Sequence, residues 1–478
     1  MTPPGSLQAL VQQTTDLVDH FFNDTRAFHM RAAPPSTAAV PPVFTNWRDE
    51  QRAWRETAAL FDQSHHMPEL FIDGPDAARL LESIAINSFA NFTDSRAKQF
   101  VACAPDGRVI GDCVAYRHGE QSFELTSGMT VLNWVEFQAE STGADVTITR
   151  DHPTAINPTG RRVKWRFQLE GPNAAAILDE VVSGTVPEIE FFHTANVEIA
   201  GCPVLVLRHG MAGHRGAELS GPYADMDTVR DAILEAGAKH GLKRAGSRTY
   251  FSTLVESGWM AYPCPAIYTS DEMRAFREWL PGDGWEASLQ IGGSYRAPAI
   301  EDYYMSPWEL GYGRFIKFDH DFIGREALER YEPESQRVPV TLVWDTDDVT
   351  RIYRSQFGGG PVYKQIELPV ADYGFPQADQ VRNTAGEHVG LSFPCGYTVN
   401  EAVMLSLASL DAEHAAAGTE VELTWGEPDG GSRKPHVERH QQTRIRATVA
   451  PIPYAETVRK LRDTTLATGG AGGSIDDR

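Results

Sequence analysis

The chain uses one phrase twice, and that repetition limits its fold more than any other feature. FIDGPDAARLL, built on Gly74-Pro75-Asp76, returns 97 residues later as LEGPNAAAIL, built on Gly171-Pro172-Asn173. In each copy an alternating apolar run reads as a strand, and Gly-Pro turns the chain. An Ala-rich stretch with apolar residues at helical spacing follows. A strand-turn-helix unit used twice predicts a pseudo-duplicated α+β body over the first two-thirds of the chain.

Around the copies the elements follow the same rules. Residues 6–22 carry Leu7, Leu10, Val11, Leu17, Val18 and Phe21 at helical spacing, and a proline-rich run follows that suits an extended surface segment. Residues 45–60 predict an amphipathic helix capped by Asn46. FVACAPDGRVIGDCVAYRHGEQSFELTSG predicts three strands in a meander with a turn at Asp106-Gly107. Residues 270–280 predict a helix, and residues 303–325 a helix followed by a strand. From about Val338, PVTLVW, HVGLSF, EVELTW and TRIRATVA predict short strands of a compact barrel. The expected division is 1–44 for the N-terminal helix and proline-rich segment, 45–335 for the body, 336–468 for the barrel, and 469–478 for a disordered tail.

Composition enters mainly by exclusion. A net charge of −22 excludes a phosphate-binding stripe for nucleic acid. The five cysteines, Cys103, Cys113, Cys202, Cys264 and Cys395, form no C-x-x-C pair, so reduced thiols in a cytoplasm are expected and zinc is not. No apolar run reaches the roughly 18 residues that span a bilayer. Adjacent His65 and His66 point apart on a strand or turn, so no metal site is expected. Dinucleotide, P-loop, zinc-hydrolase and nucleophile-elbow signatures are absent.

The polar groups gather between residues 208 and 263. RHGMAGHRGAELSG predicts a strand, a Gly-rich turn and a returning strand carrying Glu218; RAGSRTYFSTLVESGW adds Arg248, Tyr250, Glu256 and Trp259. An acid, two arginines, a tyrosine and a tryptophan suit a planar polar ligand stacked on an aromatic wall.

In order and spacing, LFDQSHHMPELFIDGPDA, DGRVIGDCVAYR, LEGPNA, RHGMAGHRGAELSG, VESGW, SPWELGYGRFIKFD and VGLSFPCGYTVNEAVMLSLAS resemble the glycine-cleavage T-protein (aminomethyltransferase) family over nearly the whole chain. FTNWRDEQRAWRETAALFDQSHHMPELF and KPHVERHQQTRIRATVAPIPY look closest to its bacterial tetrahydrofolate-dependent aryl O-demethylases of the vanillate, 3-O-methylgallate and syringate kind. The resemblance implies a three-lobed cloverleaf with a folate-binding body and a C-terminal β-barrel. It also implies tetrahydrofolate as acceptor and a small aromatic ether as donor. By the same resemblance Glu218 grips the pterin edge, and Asp112 lies near the reacting nitrogen. Trp259, Gln168 and Arg248 line the folate cavity. A carboxylate accepting two parallel N–H bonds from one planar edge suits the first of these roles.

Aryl ether cleavage needs a nucleophile in line with the methyl carbon, a methyl held close, and an acid for the departing phenolate. The resemblance assigns that acid to Tyr250; a phenol with an ordinary pKa of about 10 stays protonated at neutral pH. His66 is expected to orient the substrate oxygen or share the proton, with His65, His29 and Arg31 near the donor. One departure stands out: Gly128 occupies the place where the vanillate-type enzymes resembled carry a carboxylate-binding arginine. A donor without a carboxylate there, such as a methylenedioxyphenyl ether, is one expectation, and a carboxylate met by Arg31 or another base is the other. A sulfonium or N-methyl amine donor, or a folate-binding accessory protein without turnover, are the alternatives.

Overall fold

The computed structural model describes residues 4–25, 39–211, 216–261 and 263–460. Two open sheets and a closed barrel carry the architecture. The first sheet has six strands in the order Leu242–Ala245, Ala58–Asp62, Lys164–Glu170, Gly216–Pro222, Cys202–Leu207 and Thr194–Ile199. The second has five, in the order Arg96–Cys103, Val109–Gly119, Ser122–Thr126, Glu69–Asp73 and Thr147–Asp151. In the barrel Val338–Trp344 pairs with both Val403–Leu410 and Thr443–Ala450, which leaves no free edge.

The repeated phrase forms the same object in both sheets. Glu69–Asp73 leads through Gly74 into helix Ala77–Glu82, and Lys164–Glu170 leads through Gly171 into helix Ala174–Val181. Gly74 and Gly171 have φ of 149° and 120°. A Cβ would sit 2.4 Å from the Asp145 carbonyl oxygen at the first and 2.7 Å from that of Thr57 at the second. Both turns therefore need glycine, because each presses on a neighbouring backbone. The Asn173 amide donates to that same Thr57 carbonyl at 2.8 Å.

Several expected elements end differently. Residues 6–22 make two helices, Leu7–Gln13 and Leu17–Asn23, because the Asp16 side chain accepts from the Asp19 amide and starts the second. The helix expected over 45–60 begins after its Asn46 cap but stops at Glu56; Ala58–Asp62 then enters the sheet beside Lys164–Glu170. Tertiary pairing outweighs the helical pattern there. Residues 303–325 form turns and a 3-10 segment, Gly313–Phe315, where a helix and a strand were expected. Pro307, Gly311 and Gly313 interrupt the run, while Tyr303, Tyr304, Tyr312 and Phe322 are buried. Helix Thr346–Ser355, capped by Asp345, is an element the sequence reading did not contain.

The barrel is fastened to the body by polar side chains. Gln51 donates to Ser252 Oγ at 2.8 Å and to the Tyr397 carbonyl at 3.0 Å. Glu256 accepts from Trp54 Nε1 at 2.9 Å, from Asn400 at 3.0 Å and from Thr398. Among the described residues no helix is long and apolar enough to cross a membrane, and no group of three or more His, Cys, Asp or Glu is arranged to hold a metal.

Candidate active site

Two polar sheet faces meet at the centre of the body. Along Lys164–Glu170, Trp165, Phe167 and Leu169 enter the apolar core, so Arg166, Gln168 and Glu170 take the opposite face. Gln168 pairs with Glu218 on one side and Phe61 on the other, which puts all three on that face. In the second sheet Cys113 and Ala115 are core, leaving Asp112, Val114 and Tyr116 on the inner face. The faces join where the Tyr116 hydroxyl and the Arg166 guanidinium both donate to Glu218 Oε1.

Arg166 is the hub of that junction. It is 1% exposed and donates to Glu69 Oε1 at 2.9 Å, Glu124 Oε1 at 2.6 Å and the Tyr116 oxygen at 2.9 Å, besides Glu218. Burial raises Glu69 above the usual carboxylate range, against the pull of Arg166. Burial pushes Glu124 the same way, but Lys164, His118 and Arg166 outweigh it and hold that carboxyl well below its ordinary value. One cation among three carboxylates thus fixes the edge on which Glu218 stands.

Tyr250 sits across the first sheet's inner face, at the end of helix Ser247–Tyr250. Gln63 Nε2 lies 3.4 Å from its hydroxyl, and the His66 ring meets it edge-on at 4.8 Å between centroids. Both His66 ring nitrogens are buried without a hydrogen bond from a described residue. Burial, helped by Arg162 and His65, pushes the imidazole down to about 3. His66 is therefore neutral at physiological pH: its one ring N–H can orient an oxygen, but it lacks the second proton an imidazolium would give up. Gln63 Oε1, Gln168 Oε1 and His209 Nδ1 are likewise buried without a partner among the described residues. Gln168 keeps its amide nitrogen on the His209 carbonyl at 3.0 Å. Buried acceptors left without donors call for an explanation, and a ligand that brings N–H groups supplies one.

Asp112 lies four residues along its strand from Tyr116, roughly 13 Å away. Its Oδ2 accepts from Gln99 Nε2 at 2.5 Å and Tyr312 at 3.0 Å; Tyr312 in turn accepts from Trp259 Nε1 at 2.7 Å. Burial pushes the Asp112 carboxyl up to about 6, against the lowering effect of Tyr312, Trp259 and Gln99. Asp112, Gly128 and Trp259 open on a cleft whose far wall holds Trp285, Glu286 and Phe375. No Lys, Arg or His lines it among the described residues.

Comparison with known proteins places the chain in a family. The GCVT N-terminal domain matches residues 20–267. The chain belongs to the glycine-cleavage T-protein family. A syringate O-demethylase of Sphingobium sp. (strain NBRC 103272 / SYK-6) is 44% identical over 95% of this chain and 97% of its own. A sesamin methylene transferase of Sinomonas sp. (strain No.22) is 31% identical over 87% and 90%. The T-protein fold itself matches the glycine cleavage system aminomethyltransferase T of Bartonella henselae with a TM-score of 0.58, covering 92% of this chain and 96% of that one at 15% identity.

Within this T-protein fold the expected site residues separate. Tyr250 and His66 come together, as do Glu218 and Gln168, and Asp112 with Trp259. His65 turns away from them: its Nδ1 lies 3.0 Å from Thr154 Oγ1 and its ring packs edge-on against Tyr223, as adjacent side chains pointing apart require. Arg248, expected beside folate, donates to the Leu368 carbonyl and lies 3.9 Å from Glu367, so its partners are at the barrel. Glu256 serves the helix and barrel junction already described, where a ligand contact was expected. His29 and Arg31 lie outside the described residues.

Gly128 borders the cleft, but its glycine has a backbone cause. With φ at +34°, a Cβ would stand 2.9 Å from the Asp112 carbonyl oxygen and 3.2 Å from Val131 Cγ1. Gly128→Ala should cost about 1–2 kcal/mol and disturb Asp112; thermal unfolding alongside turnover checks both.

Arg166, Tyr116, Gln63, Gln99 and Tyr312 were missed from sequence. Period-two alternation in WRFQLE gave a signal for the first, since an Arg-Gln-Glu face opposite a Trp-Phe-Leu face is buried once a second sheet covers it. Tyr312 gave none, because it lies in an irregular segment.

Proposed function

We propose that the protein transfers a methyl or methylene group from an aromatic ether to tetrahydrofolate, in the cytoplasm to which its five free cysteines suit it. The observation that carries this reading is the row of buried acceptors on one face: Gln63 and Gln168 each hold an unpartnered oxygen, and Glu218 stands opposite Gln168 in register. A reduced pterin presents parallel N–H donors along its amino-pyrimidine edge, which is the complement such acceptors need. The two named relatives, an O-demethylase and a methylene transferase, support the donor class. Glu218 and Gln168 then hold the pterin edge. Trp259 offers an aromatic face, and Asp112 serves the reacting nitrogen.

Tetrahydrofolate supplies the amine nucleophile. Tyr250 gives its proton to the phenolate oxygen as the carbon–oxygen bond breaks, and neutral His66 orients that oxygen. Asp112, ionised above about pH 6, takes the proton that the nitrogen loses on alkylation. The cleft beside Asp112 carries two carboxylates and no cation among its described lining, which favours a donor that is neutral on that side.

Anaerobic incubation with tetrahydrofolate and methoxy- or methylenedioxy-arenes, with and without ring carboxylates, tests the reading. 5-Methyl- or 5,10-methylene-tetrahydrofolate is the expected product by mass spectrometry; tight folate binding with no product from any arene refutes it. Glu218→Gln should weaken tetrahydrofolate binding by about 10- to 100-fold, the loss of a charged hydrogen-bond acceptor, measured by calorimetry.

A further inference from the structure

We propose that Tyr312 is a positioning residue of this site: through one hydroxyl it fixes the Trp259 indole and holds Asp112 in the form that accepts a proton. The proposal rests on the folate reading for what Asp112 does, and on geometry for what Tyr312 does.

The direction of the two hydrogen bonds follows from their chemistry. An indole N–H only donates, so at 2.7 Å the Tyr312 oxygen is the acceptor. That oxygen carries a single proton, and 3.0 Å away lies Asp112 Oδ2. The proton therefore points at the carboxylate. Gln99 Nε2 donates to the same oxygen at 2.5 Å. The Tyr312 and Gln99 donors converge on Oδ2. A proton on Oδ2 would have to displace them, so the relay works against the burial that pushes Asp112 upward.

Tyr312 is well placed for such a task because it has little freedom. It is 6% exposed; its amide donates to the Pro307 carbonyl at 2.7 Å, its carbonyl accepts from the Phe315 amide at 2.8 Å, and its ring stacks on Phe315. The other titratable groups near Asp112 are the neighbouring Cys113 thiol, buried and raised well above its ordinary range by burial, and Glu286 across the cleft, also raised by burial. Neither supplies a positive charge, so among the described residues the hydrogen-bond donors, Tyr312, Trp259, Gln99 and the Asp112 amide, are what favours the carboxylate.

Tyr312→Phe keeps the ring and removes the hydroxyl. The acid limb of kcat/KM should move up by about half to one pH unit, the equivalent of one hydrogen bond. That is a 3- to 10-fold loss on the limb, with a much smaller loss on the plateau and a nearly unchanged unfolding midpoint. Trp259→Phe, which leaves the Tyr312 to Asp112 bond in place, should weaken tetrahydrofolate binding, and because the indole also lowers the Asp112 carboxyl it should move the limb in the same direction. A limb that stays put in Tyr312→Phe overturns the proposal, as does a loss that is equal at all pH values and tracks a lowered midpoint. Infrared difference spectra against pH give a readout that needs no turnover: the protonated-carboxyl band that Asp112→Asn abolishes should titrate at higher pH in Tyr312→Phe. Should the wild-type protein turn over no arene, the function reading fails while this band still decides the role of Tyr312. An unshifted band sinks it.

Discussion

Exchange of Tyr250 for phenylalanine should lower kcat for aryl ether cleavage by about 10²- to 10⁴-fold, the usual worth of a positioned general acid, and leave tetrahydrofolate affinity nearly unchanged. A phenolate is a poor leaving group, so the proton has to arrive as the bond breaks. The surroundings offer no substitute donor among the described residues: burial holds His66 at about 3 and keeps it neutral, and Gln63, 3.4 Å from the hydroxyl, is a far weaker acid. The leaving group provides the control. With an ether of a nitrophenol, whose phenolate departs unaided, the deficit of Tyr250→Phe should shrink. A deficit that is the same for every leaving group would assign Tyr250 to packing against Phe61 and Phe251, which its ring also touches edge-on.

Arg166→Met should be the most destabilising single change in the body, by about 3–5 kcal/mol. The substitution fills the volume but leaves Glu69, Glu124 and Glu218 buried without their shared cation. Lys164 and His118 remain within reach of Glu124, at 2.7 and 2.9 Å; Glu69 has no such reserve, since its second oxygen already lacks a partner. Adding Glu69→Gln to Arg166→Met should therefore recover part of the loss, because it removes the carboxylate left most exposed to the missing charge. Thermal unfolding of the single and double variants tests this, and an unchanged midpoint in Arg166→Met would show that the carboxylates take up protons at little cost. Folate binding should fall as well, because Arg166 and Tyr116 hold the Glu218 carboxylate in place.

Much of the site was legible one strand at a time. GAELSG put Glu218 on a strand returning from a Gly-rich turn and the run around Gly111 put Asp112 on a strand, but the roles expected of both came from the family resemblance. Tyr250 depended on the family resemblance, since nothing in SRTYF separates an acid catalyst from a core tyrosine. Arg248 and Glu256 show the opposite error. They stand within eight residues of each other in sequence, yet one reaches the barrel loop at Leu368 and the other the junction at Asn400. Short helices turn neighbouring side chains outward in different directions, so proximity along the chain did not become proximity in space.

The sequence by itself determined the elements that local chemistry dictates: the two Gly-Pro turns, the Asn46 cap, the meander around Asp106-Gly107 and the alternating strands of the barrel. Only the tertiary structure decided which polar faces meet. It placed Arg166 between three carboxylates from three strands, brought Tyr312 from an irregular segment onto Asp112, and turned His65 away from its neighbour His66. Local pattern fixes which way a side chain points from its own strand or helix. What it points at depends on how the two sheets and the barrel pack, and that is set by burial summed over the whole core.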